Sequence, residues 1–300
     1  MALPPPYVFV RWLKEDRVAE ALHQRRQAPV AVKLVSDPAA FAHEVATLYA
    51  LRGPEAAAFV VAIEEEFPAA AAAGSPGLIV LERLGKSLPE YLSKPKERAV
   101  VQAVAKSVCF ALAALHQAGF AHLDFKPHQV CLVDNENTAV KLVDFDAAKR
   151  PGEPCSPAIT YMYAAPERFD PAARASFKMD VFCLGLVLVY VLGPHHAPVY
   201  LDDTDAKARL KGNVTPMVPE PVFQRFVHPE LVGLLRELLQ EDPALRPDMA
   251  TVVRKPIIAT GGFTAVGQAA DLGAAVDVVV GAVDGAAERL AKQVHGLGPG

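Results

Sequence analysis

The sequence predicts an α+β protein of two unequal lobes, a small β-rich one followed by a larger α-helical one. Three observations predict it. Residues 7–92 carry short apolar or alternating runs of the kind that form strands. Beyond Pro95 the apolar residues recur at helical spacing over much longer stretches. Within that helical half lies one hairpin-like segment, Val130-Cys131-Leu132-Val133 and Ala139-Val140-Lys141-Leu142-Val143, joined by Asp134-Asn135-Glu136-Asn137. The lobes are expected at 7–84 and 85–258, meeting near Leu84-Gly85-Lys86-Ser87, with a separate tail at 259–300.

The elements follow in order. Strands are expected at 7–13, 17–23, 29–35, 58–63 and 77–84. One helix interrupts them: Ser36 or Asp37 can cap it, Pro38 suits its first turn, and Phe41, Val45 and Leu48 share a face. Residues 69–77 read as a small-residue loop. A long helix over 97–118 is stopped by Gly119, which tolerates the left-handed conformation after a C-terminus. The hairpin follows, then an irregular proline-rich stretch at 151–171. Residues 181–192 are apolar on every side, as expected of a helix buried at the centre of a lobe. Residues 229–239 form another amphipathic helix. In the tail, Leu272, Val276, Val279, Val280, Val283, Ala287, Leu290 and Val294 follow helical spacing, with Asp277, Asp284 and Glu288 elsewhere. That stripe packs either on its own domain, on a partner or on a membrane face.

Composition narrows the function classes. The 300 residues are 52% hydrophobic, enough to bury a large core. Thirty basic and 34 acidic residues are mixed along the chain, with no polybasic patch to recommend a nucleic acid as partner. The four cysteines are dispersed, with no C-x-x-C pair, and read as small buried hydrophobes in a reducing compartment. The N-terminus lacks a secretory pattern, and the apolar run at 181–192 is shorter than the roughly 20 residues that span a bilayer. A soluble cytoplasmic protein without a transmembrane segment is the expectation.

The chemistry is concentrated around the hairpin. It should fold back and bring Asp124 and Asp144 to the same end of one small sheet. Two carboxylates with Lys126 nearby suit phosphoryl transfer, one accepting a hydroxyl proton and the other holding a divalent metal. Upstream, Ala31-Val32-Lys33 ends a strand, and Glu44 lies on the first helix.

These runs resemble the eukaryotic protein-kinase superfamily. His122-Leu123-Asp124-Phe125-Lys126-Pro127-His128-Gln129 is similar to its H-R-D-L-K-P-x-N run, and Asp144-Phe145-Asp146 stands where the family has D-F-G. Thr160 to Glu167, ending Ala164-Ala165-Pro166-Glu167, matches the end of an activation segment. The resemblance implies that ATP binds between the lobes, contacted by Lys33 and Glu44, by Val18 and Ala31, and by Glu82 and Leu84 at a hinge. It further implies that Asp144 and Gln129 hold Mg²⁺, that Asp124 receives the hydroxyl proton of a protein substrate, and that Lys126 and Thr160 support it. Lysine two residues after the aspartate is similar to the serine/threonine class. Asp180 is implied to anchor the loop around Asp124 from below, and Arg246 to pair with Glu167.

The pattern breaks in four places. No glycine precedes Gly53, so Arg11, Leu13 and Asp16 stand where a glycine-rich phosphate loop would be, and Asp16 is expected to repel phosphates. Gln129 replaces an asparagine, and Leu123 replaces an arginine that commonly pairs with a phosphorylated activation segment. Asp146 replaces a glycine, whose backbone angles an aspartate adopts only at some cost in strain, so the loop is expected to differ in mobility. Two principal readings follow: an atypical serine/threonine kinase, and a pseudokinase whose fold serves as a binding module. Small-molecule phosphotransferases share the H-x-D and the later aspartate, but not the Ala165-Pro166-Glu167 and Arg246 pair.

Overall fold

Alternation of apolar side chains along residues 7–35 is satisfied by an antiparallel meander. In the computed structural model, which describes residues 3–69, 75–212, 217–226 and 228–259, β1 (Tyr7–Lys14), β2 (Val18–His23) and β3 (Ala28–Val35) pair in sequence. β4 (Ile63–Phe67) and β5 (Gly77–Glu82) complete a sheet ordered β1-β2-β3-β5-β4. Helix α1 (Pro38–Ala50) follows β3; Asp37 accepts from the Ala39 and Ala40 N–H groups, and α1 buries Phe41, Glu44, Thr47 and Leu48 against the sheet. Apolar contacts and a shared strand ladder therefore place one acidic side chain, Glu44, inside the small lobe.

The helical lobe contains α2 (Leu88–Leu92), α3 (Arg98–Gln117), α4 (Phe177–Leu192), α5 (Asp203–Leu210), α6 (Glu220–Phe223), α7 (Pro229–Leu238), α8 (Met249–Arg254) and α9 (Pro256–Ala259). Gly119, at φ +86°, ends α3 as expected. The hairpin forms as β6 (Val130–Leu132) and β7 (Val140–Leu142). α3 is long and apolar enough to cross a membrane by length and composition alone, and 67% of that stretch is buried inside the protein, where α3 packs on β7, α4 and α8. The tail helix expected within 259–300 lies outside the described residues, as does most of the loop at 69–77.

The expected strand at 58–63 is corrected. Phe59, Val60 and Val61 are buried, but through turns that dock on β7: the Val61 N–H donates to Leu142 O at 3.0 Å and the Leu142 N–H to Phe59 O at 2.8 Å. The strand runs instead through Ile63-Glu64-Glu65-Glu66-Phe67. β4 is an edge strand, and charges on an edge are ordinary protection against unwanted pairing, which is why its acidic sequence hid it.

α4 is the spine of the larger lobe. It begins at Phe177, capped by Ser176, four residues before the apolar run that announced it. Asp180 on its first turn is fully buried and accepts from the His122 N–H (2.6 Å), the Leu123 N–H (2.8 Å) and His116 Nε2 (2.9 Å). Arg246 is likewise buried; its guanidinium donates to both Glu167 oxygens, 2.7 and 2.9 Å, and to three main-chain carbonyls. Gly185 sits where α4 meets Leu239: a Cβ there would come within 2.7 Å of the Leu239 Cγ and Cδ2. Gly185→Ala is expected to cost about 1–3 kcal/mol through overpacking, outweighing the roughly 1 kcal/mol that alanine contributes within a helix. Urea denaturation of the two proteins checks it.

Candidate active site

A cleft of about 850 Å³ opens between the sheet and the helical lobe. Lys33 reaches it from β3, opposite Val18 on β2, and its ammonium donates to both Glu44 oxygens at 2.6 and 2.7 Å and to Asp144 Oδ1. Ala31, two residues earlier on the same face of β3, lines the cleft beside Val18. One ammonium therefore stands between two carboxylates, and the triad carries one uncompensated negative charge in surroundings where Lys33 and Glu44 are almost wholly buried.

The two halves of the hairpin meet the triad from below. Gln129 Nε2 donates to Asp144 Oδ2 at 2.7 Å and lies 3.3 Å from Asp124 Oδ2. Asp124 in turn accepts from Lys126 Nζ (2.6 Å, Oδ2) and from the Thr160 hydroxyl (2.6 Å, Oδ1), while Lys126 also donates to Thr160 Oγ1 at 2.9 Å. Lys33, Glu44, Asp144, Gln129, Asp124, Lys126 and Thr160 are thus one continuous hydrogen-bonded chain, drawn from β3, α1, both flanks of the hairpin and the segment before Tyr161. The Gln129 amide meets the carboxylates through its NH₂, where metal ligation would need its oxygen turned inward.

Electrostatics keep the key groups ionised. Burial opposes the charge on Asp144, but the Lys33 ammonium and the Gln129 amide outweigh it and hold its carboxyl at about 2. For Asp124, burial is likewise overcome by the hydrogen bonds from Lys126 and Thr160, so its carboxyl lies below the usual range. Burial pushes Glu44 up, against the Lys33 ammonium that is shared with Asp144. The fit to a divalent cation is good: a hard carboxylate oxygen faces the cleft beside a cluster short of one positive charge.

Backbone strain falls elsewhere than expected. Asp146 has an ordinary φ, and the left-handed residues are Asp144 (φ 69°) and Leu123 (φ 63°). Both abut the carboxylates, and such non-glycine conformations persist where the surroundings enforce them. Here the surroundings are Asp180, gripping the Leu123 N–H, and His122, whose Nε2 lies 3.1 Å from Val143 O. Phe145 is fully buried beside the His122 ring, 5.2 Å between centroids.

The roof differs from expectation too. β1 and β2 join through a tight turn with Asp16 at its tip (φ 54°), and Asp16 does not line the cleft. Arg11, Trp12, Leu13, Lys14 and Arg17 do, so the charge there is basic. Arg83 clamps roof to hinge, donating to Glu20 at 3.3 Å and to the Leu84 carbonyl, while Arg11 holds Glu20 from the other side at 2.9 Å. Glu82 lines the cleft, and its carboxylate Oε1 accepts from the Ala62 N–H (2.7 Å) and Lys141 (2.5 Å). Sequence reasoning missed Arg83, Trp12 and His128. His128 lines the cleft, and burial together with Lys126 and Lys14 lowers its pKa. Only the proximity of His128 to Gln129 could have signalled it.

Comparison with known proteins identifies the fold. The profile of the protein kinase domain matches residues 15–258. The chain is 28% identical over 177 residues to serine/threonine-protein kinase STY46 of Arabidopsis thaliana, covering 57% of this chain and 30% of that protein. It is 30% identical over 188 residues to serine/threonine-protein kinase STY17 of the same plant (60% and 32%). Maternal embryonic leucine zipper kinase of Xenopus tropicalis is 28% identical over 168 residues (52% and 24%). The matched region spans about a third or less of each of these relatives.

Proposed function

The chain belongs to the protein kinase family, and from that premise we propose that it transfers the γ-phosphoryl group of ATP to serine or threonine hydroxyls of a protein. The observation that carries this reading is the closed arrangement of Lys126 and Thr160 on Asp124. A module that only binds has no chemical use for a hydroxyl and an ammonium that both keep ionised one carboxylate touching the cleft-lining Lys126 and Gln129. Asp124 orients the substrate hydroxyl. As that oxygen bonds the γ-phosphorus, the bond to the ADP oxygen breaks and the hydroxyl proton passes to Asp124. Lys126 offsets negative charge on the transferring group. Lys33, steadied by Glu44, positions the inner phosphates, and the main chain from Glu82 to Leu84 faces the base. Asp144, with Gln129 beside it, is the residue that would hold Mg²⁺, which would supply positive charge to the phosphates during transfer.

A specific feature favours the second reading, a pseudokinase acting as a binding module: the roof presents side chains where backbone N–H groups would cradle phosphates. The readings separate on two measurements. MgATP at a hundred times its Kd should stabilise the wild-type protein by about 2.7 kcal/mol in thermal unfolding, and Asp144→Asn should lose the Mg²⁺-dependent part. Radiolabelled phosphate should pass from [γ-³²P]ATP to protein. No Mg²⁺-dependent rise would refute the nucleotide site; a rise without transfer leaves the binding module.

A further inference from the structure

We propose that residues 271–288 of this chain dock in a second cavity of the helical lobe. This cavity, about 710 Å³, shares no lining residue with the cleft. It lies between the start of α3, the end of α4, the start of α7, and α9. Its floor is apolar, from Leu92, Val101, Leu192, Leu231 and Ile257. Six basic side chains stand among its remaining lining residues: Lys96, Arg98 and Arg225, with His195, His196 and His228. No Asp or Glu lines it among the described residues, and none of the six basic groups forms a salt bridge there. Three of them have neutral contacts. Arg225 donates to the Ala197 and Pro198 carbonyls at 3.2 Å, Lys96 lies 4.1 Å from the Tyr91 ring centre, and His196 Nδ1 is 3.1 Å from Tyr190 O.

A concave apolar surface bordered by the cations Lys96, Arg98 and Arg225, with three imidazoles and no carboxylate among the described residues that line it, calls for an occupant that is both apolar and acidic. The chain supplies one. Between residues 260 and 288 the sequence holds Asp271, Asp277, Asp284 and Glu288 and not one Lys, Arg or His. Leu272, Val276, Val279 and Val283 lie among the acids. The described chain ends at Ala259, two residues past Ile257 in the cavity lining. Eleven intervening residues, 260–270, reach up to about 36 Å, ample for entry. Tethering also places the segment at an effective concentration in the millimolar range. A membrane face is the weaker occupant, because anionic lipid surfaces attract basic segments and this one is acidic.

The test uses the full chain without nucleotide, so its outcome is independent of whether the cleft transfers phosphate. In amide hydrogen exchange, residues 271–288 should be protected, and Lys96→Glu with Arg98→Glu should speed their exchange at least tenfold while α4 stays protected. Asp277→Lys with Asp284→Lys, which alters no described residue, should do the same. The four changes together should restore protection by reversing both charges. Carbodiimide should link Lys96 to an acid of 271–288 within one molecule. Exchange of this segment at the free-peptide rate, protection indifferent to both pairs of reversals, or links formed only between copies would each overturn the proposal.

Discussion

Asp124→Asn should lower phosphoryl transfer by about 10²–10⁴-fold while leaving MgATP binding nearly unchanged. Asparagine has the shape of aspartate, so Gln129, Thr160 and the loop held by Asp180 should keep their places. What changes is charge. The Lys126 ammonium, 2.6 Å from Asp124 Oδ2, loses its counter-ion, and no carboxylate remains to take the hydroxyl proton. The triad that would meet nucleotide and metal, Lys33 with Glu44 and Asp144, touches Asp124 only through Gln129. Turnover should therefore fall with little change in the nucleotide Kd, and steady-state kinetics beside a binding titration checks that split. A variant that transfers phosphate at the wild-type rate would remove Asp124 from the proposed chemistry.

The groups legible in the sequence were those whose partners lie in fixed short motifs. Asp124 with Lys126 and Asp144 at the hairpin's end sit where spacing put them, because the lengths of turn and strand bring those ends together, whereas Glu167 with Arg246, 79 residues apart, was reached only through the family resemblance. Asp180, at the head of an otherwise apolar helix, was likewise reached through the resemblance, since its main-chain partners at His122 and Leu123 lie nearly sixty residues away. The roof was not. Its alignment onto missing glycines assigned Asp16 to the phosphates, but the β1–β2 turn places Asp16 at the tip and brings Arg11, Lys14 and Arg17 over the cleft. Register in a hairpin with two irregularities cannot be counted from residue types. The strain expected at Asp146 was misplaced in the same way, since the left-handed turn falls on Asp144, two residues earlier. Long-range clamps such as Arg83 with Glu20, or Lys141 with Glu82, carry no local signal, because each joins strands whose proximity only the finished sheet creates.

Lys33→Met should be the most destabilising single change at the site, costing about 3–5 kcal/mol in the absence of nucleotide. Methionine fills a similar volume, so the loss is electrostatic. Glu44 and Asp144 remain, largely buried, with no cation between them. Glu44 is the group that should yield. Burial already raises its pKa, and without the ammonium it should take up a proton in the folded state that it does not hold when unfolded. A carboxyl raised in this way lowers stability as pH climbs above its unfolded value of about 4.3, because the folded state then binds more protons than the unfolded one. The deficit of Lys33→Met relative to wild type should therefore widen from pH 5 to pH 8 in urea denaturation. Adding Glu44→Gln removes the carboxyl that must take up this proton and should recover on the order of 2 kcal/mol at pH 8 while flattening the pH dependence. If the double variant is no more stable than Lys33→Met and keeps its slope, the cost lies in packing. The shared ammonium would then not be what holds α1 against the sheet.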